Sequence, residues 1–374
     1  MTLHDYQERA VEWLSRRKRG LVVAPAGSGK TIIAAAALDR VLQRRTRNRR
    51  LKVGWLANTL EQCRQAQAAV FKFPALTQAA DFTIACAASE TDWTGCDVLV
   101  GDEIHHLATA PQWQYQIDRF QGPRWGFTAT PPEGIVELQV LMGFFDNERF
   151  TITREEVGNR LASARVVLVD DTADGIRETI DAEIEMECAR RRRWWRGDEQ
   201  ELWGQVAWQV CVDIGIVNNV PRNDAAIALA KRHASDQTLM LVNKIEHGEA
   251  LAERIPSARL CFSKMGKKAR AASLAAFSAG QCKCIVATSL ADEGLDLPCA
   301  SVLILVSGGR SNARTEQRTG RVLRQFAGKS HGLIYDFTDT HHPLPAKHAR
   351  LRQELYQRLG YTMTGRITVA TNPA

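Results

Sequence analysis

Ala24-Pro25-Ala26-Gly27-Ser28-Gly29-Lys30-Thr31 follows the apolar run Leu21-Val22-Val23 and opens a helical pattern over 32–43. A strand that passes through a glycine-rich turn into a helix is the setting of a phosphate-binding loop. Gly27 and Gly29 let backbone N–H groups crowd round phosphates, with Ala26 and Ser28 completing the cradle. The helix N-terminus adds positive potential. Lys30 is placed to reach the outer phosphates of a nucleotide, and the Thr31 hydroxyl to ligate Mg²⁺. The first position holds Ala24 where the strict pattern has glycine. A chance glycine turn is the plain alternative, and the flanking strand and helix weigh against it.

Val98-Leu99-Val100-Gly101-Asp102-Glu103-Ile104-His105 supplies the second half of such a site. An apolar strand ending in two carboxylates puts them at the C-terminal edge of a sheet, where ligands sit in open α/β folds. Asp102 suits a Mg²⁺ shell and Glu103 a general base acting on water. Alone, Asp-Glu at a strand end reads as a solvated terminus; downstream of a phosphate loop, the chemical reading prevails.

Around these motifs the first half alternates short apolar runs with helical patterns, which predicts βα units and a parallel sheet. Further strands are expected at 51–55, 82–84, 98–100 and 125–127. From 174 to 218 the chain turns to charged, Trp-containing helices without strand signals. After Pro221 alternation returns, with strands at 239–242, 284–287, 302–306 and 333–337. The expectation is an α/β protein with two parallel-sheet lobes, 1–150 and 221–374, joined by a helical segment at 151–220. A length of 374 residues suits two lobes. No apolar stretch is long enough to span a bilayer, the N-terminus is too polar for a signal peptide, and a cytoplasmic protein is expected. Nine cysteines without a CxxC pair read as reduced core thiols and not as a zinc site. A net charge of +7 points to a polyanionic partner.

With these motifs in place the chain resembles a superfamily 2 helicase of the DExH-box type, from Tyr6 to about Asp336. Asp102-Glu103-Ile104-His105 is similar to the box itself. Asp5-Tyr6-Gln7 resembles the glutamine motif, which implies that Gln7 reads adenine. Trp125-Gly126-Phe127-Thr128-Ala129-Thr130-Pro131 resembles the third motif, making His105, Thr128 and Thr130 coupling residues. The stretch 285–298, with Gly294 and Asp296 at the nucleotide, resembles the fifth. Gln317-Arg318-Thr319-Gly320-Arg321-Val322-Leu323-Arg324 resembles the sixth. The resemblance implies two RecA-like lobes, with Gln317 contacting the γ-phosphate or water and Arg321 and Arg324 acting as arginine fingers. ATP and Mg²⁺ then bind between the lobes, and hydrolysis opens and closes them on a strand. Independently of the family, arginines every three residues lie close to one helical face and can pair with phosphate. An arginine-studded surface helix is the plain reading of that row.

The same resemblance places strand contacts at Asn58, Thr59 and Ser89 in the first lobe, and at Asn243, Lys244 and Thr288 in the second. Ordinary caps and turns are the alternative at each. The run Arg40 to Arg50 reads as a solvated basic face or a nucleic-acid face. Arg191-Arg192-Arg193-Trp194 can bind phosphates and stack on bases, or Trp194, Trp195, Trp203 and Trp208 can pack the helical segment. The helix at 346–359 is expected to keep its lysine and arginines solvated. The entry to lobe two, 215–223, resembles helicases of the excision-repair and phage recombination type, which favours DNA over RNA as partner of a monomeric motor, in host cytoplasm if phage-encoded. An RNA helicase and an ATP-gated clamp remain the alternatives.

Overall fold

The computed structural model describes residues 2–44, 49–132, 134–158, 163–170, 175–262, 264–288, 297–309, 312–323, 329 and 331–368. The chain divides into two compact units, Met1–Leu161 and Ala162–Ala374.

In the first unit, β1 (Arg19–Val23), β2 (Leu51–Ala57), β3 (Ala80–Cys86), β4 (Val98–Asp102), β5 (Arg124–Thr128) and β6 (Arg149–Thr151) form one sheet. Its order is β3-β2-β4-β5-β1-β6, and every pair runs parallel. Strands buried on both faces must be apolar at successive positions, and β1 and β2 obey this. Val22 and Trp55 face a core built with helices Asp5–Ser15 and Lys30–Gln43. Their neighbours Leu21 and Leu56 face a second core containing Trp113, Ile117 and Phe145. Gly126 in β5 is needed for this packing, because a Cβ there would lie 2.5 Å from Phe145 Cζ.

The second unit holds β7 (Ser163–Asp170), β8 (Thr238–Leu241), β9 (Arg259–Cys261), β10 (Cys284–Ala287), β11 (Val302–Leu305), β12 (His331–Phe337) and β13 (Thr362–Thr368). The order is β13-β7-β12-β11-β8-β10-β9, again parallel throughout. This corrects the expected helical segment at 151–220. Residues 163–170 form a strand between β12 and β13, because Val166-Val167-Leu168-Val169 is a β-branched run that buries Val166 and Val169.

The helices Ile176–Arg192 and Glu199–Val212 make a hairpin with a core of its own, built on Ile180, Ile184, Leu202, Val206, Ala207, Val210 and Cys211. That core also takes in Leu344, in the first turn of the helix Pro343–Arg358, and the Trp208 ring lies 4.8 Å from the His348 ring of that helix. The hairpin is therefore an appendage of the second unit. Among the described residues no helix is long and apolar enough to cross a membrane.

Leu303, fully buried in β11, should cost about 2–5 kcal/mol when truncated to alanine, by lost transfer energy and the cavity left behind. Urea unfolding of Leu303→Ala against the parent checks this, and an unchanged midpoint would place the second unit's core elsewhere.

Candidate active site

The turn after β1 is shaped by its glycines. Gly27 and Gly29 adopt φ of +85° and +84°, and Gly29 caps the helix that starts at Lys30. These left-handed values suit glycine and strain other residues. Ala24 N–H donates to Thr128 O (3.0 Å), which ties the loop to the end of β5. Lys30 is buried and donates to Ala24 O at 3.3 Å. Thr31 follows it, half-buried.

Gln7 is drawn onto this loop. Its Nε2 donates to Ser28 O (2.9 Å), as does the Tyr6 hydroxyl (3.1 Å), and its Oε1 accepts from His4 N (3.1 Å). Any Cβ at Gly29 would meet Gln7 Nε2 at 2.6 Å. The structure thus shows Gln7 buttressing the phosphate loop through Nε2 while its Oε1 caps the start of its own helix, a link that its motif does not reveal.

Beside the loop, β4 ends at Asp102, and Glu103 turns the chain with φ +52°. Glu103 N–H donates to Asp102 Oδ1 (3.0 Å). His105 Nδ1 lies 3.0 Å from Thr128 Oγ1 and 3.4 Å from Glu103 Oε2. Thr130 N–H also donates to Thr128 Oγ1 (3.1 Å). The two carboxylates, His105, Thr128 and Thr130 therefore form one connected group.

Its electrostatics divide the labour. Burial, and then the Glu103 charge, push Asp102 up to about 6 against the pull of Lys30. Burial would also raise Glu103, but the Lys30 ammonium and His105 outweigh it and hold Glu103 down at about 2. One carboxylate is thus kept ionised while its neighbour takes up a proton near neutrality. His106, stacked on Trp113, is pushed down to about 4, chiefly by burial. The Ser28 and Thr130 hydroxyl oxygens are buried without hydrogen-bond partners, so the site holds polar atoms that a ligand can satisfy.

In the second unit, Gln317, Arg318 and Arg321 lie on the helix Asn312–Val322. Arg318 Nη1 donates to Ser307 Oγ (3.3 Å); the side chains of Gln317 and Arg321 lie outside the described residues. Arg324, Gly294 and Asp296 lie outside them as well. Thr288 is buried just after β10.

The strand-contact candidates are placed as follows. Thr59 caps the helix Leu60–Val70, and Gln62 Oε1 accepts from the N–H groups of Asn58 (3.0 Å) and Thr59 (3.1 Å). Ser89 is exposed. Asn243 Nδ2 donates to Ser307 O (2.6 Å), and Lys244 pairs with Asp213. Arg191 bonds Glu187 and Gln209, Arg192 bonds Glu199, and Arg193 stacks 5.2 Å from the ring of the exposed Trp194. Trp195 packs on the hairpin core.

In the run Arg40 to Arg50, Arg40 and Arg44 pair with Glu12, Arg49 with Asp97 and Arg50 with Asp81. The helix Pro343–Arg358 brings a correction. Lys347, Arg350 and Arg358 are exposed, but Arg352 is fully buried against Asp336 and Asp339. A single arginine on an amphipathic pattern carries no local sign of burial, since its partners come from the end of β12 and beyond.

Residues 221–325 match the family described as helicase conserved C-terminal domain, and residues 1–92 match the type III restriction enzyme, res subunit. The chain is 22% identical to the DNA 3'-5' helicase XPB of Mycobacterium tuberculosis, over 96% of this chain and 64% of that protein. It is 25% identical to the putative DNA 3'-5' helicase Rad25 of Haloarcula marismortui, over 87% and 51%. The chain thus spans between half and two thirds of these relatives. Among solved structures, the Pyrococcus furiosus Hef helicase domain superposes with a TM-score of 0.59 at 15% identity, covering 93% of this chain and 98% of that one.

Two parallel α/β units, the first bearing a phosphate loop beside a carboxylate pair, have the fold of RecA-like helicase lobes. Within that fold, the two family matches and the XPB and Rad25 relatives support a superfamily 2 helicase close to the XPB type.

The raised Asp102 has a measurable consequence in nucleotide-free protein. A carboxyl whose folded value exceeds its unfolded one loses stability as pH rises through the window between them, here from about 4 to about 6. Asp102→Asn should therefore gain on the order of 2 kcal/mol at pH 7 and nothing below about pH 4. Thermal unfolding across that range decides it, and a pH-independent difference would refute the assignment.

Proposed function

We propose that this protein is an ATP-driven DNA translocase or helicase that unwinds or remodels duplexes at forks and junctions. The observation that carries the reading is the joining of phosphate loop, carboxylate pair and His105–Thr128 contact at one sheet edge, in a chain that resembles DNA helicases over most of its length. In this reading Gly27, Ser28, Gly29 and Lys30, with Ala26, hold the phosphates, and Gln7 serves the adenine end while bracing the loop. Glu103, held ionised, accepts a proton from the attacking water. His105, Thr128 and Thr130 pass the state of the nucleotide to the rest of the sheet edge.

Thr31 and Asp102 offer a hydroxyl and a carboxylate, the hard oxygen donors that suit Mg²⁺. Asp102, whose ionisation is disfavoured by burial and by the Glu103 charge, fits a carboxylate that a cation would hold ionised. Such an ion would neutralise charge on the phosphates. Gln317, Arg321 and Arg324 act on the γ-phosphate, with Gly294 and Asp296 at the nucleotide. Asn58, Thr59, Ser89, Asn243, Lys244 and Thr288 meet the strand mainly through its phosphates, which gives little sequence specificity. Trp194, exposed beside Arg193, offers a stacking surface to a base. The motor works as a cytoplasmic monomer.

The test is ATP turnover without polymer and with single-stranded DNA, forked or four-way DNA, and RNA of equal length, using Lys30→Ala as blank. DNA should stimulate turnover by about tenfold or more, while Arg324→Ala keeps nucleotide binding and loses about 10³-fold of the rate. Stimulation by RNA alone would transfer the protein to RNA substrates, and no stimulation by any polymer would leave a nucleotide-gated clamp.

A further inference from the structure

Between the end of β11 and the helix Asn312–Val322 the chain makes a short loop, 306–309, whose conformation is fixed by side chains from elsewhere. Gly308 and Gly309 take φ of +58° and +117°. Arg222, fully buried on the helix Val220–Arg232, donates from Nε and Nη2 to Val306 O (3.2 and 2.8 Å). Asn243 donates to Ser307 O (2.6 Å), and Arg318 to Ser307 Oγ (3.3 Å). Arg352 Nη1 donates to Gly309 O (2.8 Å).

Each buried arginine also holds a carboxylate. Arg222 pairs with Asp339 (2.7 Å), and Arg352 with Asp336 (2.9 Å) and Asp339 (2.8 Å), while the Tyr356 hydroxyl donates to Asp336 (2.8 Å). The two cations and two anions balance. Asp339 is held below the usual carboxylate range despite burial, because Arg222 and Arg352 flank it.

A fully buried ion network is a costly way to stabilise a core, since apolar packing does as well or better. What it adds here is position. Guanidinium groups are rigid forks, and these two divide their donors between the carboxylates and the carbonyls of one loop. The helix beyond the loop is anchored again at Thr319, whose hydroxyl lies 3.0 Å from that of Tyr361.

We infer that Arg222 and Arg352 are positioning residues for the ATPase reaction: they lock loop 306–309 and so set the placement of the helix that presents Arg321 to the γ-phosphate. This rests on the reading that Arg321 acts on ATP, and the experiment separates the two. DNA-stimulated kcat and KM for ATP are measured for Arg321→Ala, Arg352→Met, Arg352→Lys, Arg222→Lys and the double variant Arg321→Ala/Arg352→Lys, with thermal unfolding of each.

Arg352→Lys keeps a cation for the carboxylates but loses the fork. It should lower kcat about tenfold, leave KM within about twofold, and add less than about twofold to the loss already caused by Arg321→Ala. Arg222→Lys should split kcat from KM in the same way. If Arg321→Ala turns over normally, the reading of the arginine helix falls. If Arg321→Ala is impaired and Arg352→Lys is not, or if their losses multiply independently, the positioning role falls and the reading stands. Collapse of folding in both Arg352 variants and in Arg222→Lys would reduce the network to structural support and overturn the inference.

Discussion

Two carboxylates, adjacent in sequence at the end of β4, one buried and one half-buried, impose the constraint on which the rest of the first unit depends. Asp102 and Glu103 cannot both be ionised in that setting without a nearby cation, and Lys30 is the cation that the phosphate loop supplies. Bringing Lys30 there requires the tight turn after β1, hence positive φ at Gly27 and Gly29. It also requires β1, β4 and β5 to end at one sheet edge. The strand order puts β5 between β4 and β1, so Thr128 can touch both the loop and His105. Fold and chemistry are here one arrangement: parallel strands end where charge has to be gathered.

The second unit solves a different problem. Ahead of the helix Asn312–Val322 its loop contains two glycines at positive φ, and that loop has to be held in one conformation. The solution places arginines and aspartates from three separate segments in the core, fully removed from water. The helical hairpin 176–212 sits on this same unit, with its own core and an exposed tryptophan at its tip. The basic residues along it are largely engaged with Glu187 and Glu199, so a polyanion would have to compete with those carboxylates or find Arg193 and Trp194.

How much of this was legible in the chain follows from whether its cause is local. The phosphate loop, the Asp102–Glu103 pair and the strands flanking them are encoded in contiguous residues, and each lies where its pattern predicts. β7 was hidden because its partners β12 and β13 lie far along the chain, and the helices that follow it masked its β-branched run. β13 alternates weakly, and as an edge strand with most residues exposed it buries too little to leave an apolar signature. Arg222 and Arg352 gave no sign because burial of a charge is decided by its partners, and those are set by the fold. The dual hydrogen bonding of Gln7 was equally silent, since its acceptor is a backbone carbonyl.

In the proposed function, turnover at the first unit's site is converted into movement on DNA. The most direct measurement follows a labelled strand leaving a forked duplex under a single encounter, with ATP turnover recorded in the same sample. The account predicts strand release that depends on ATP and rises in proportion to turnover. Brisk DNA-stimulated hydrolysis with neither strand release nor displacement of a protein block from the DNA would contradict it.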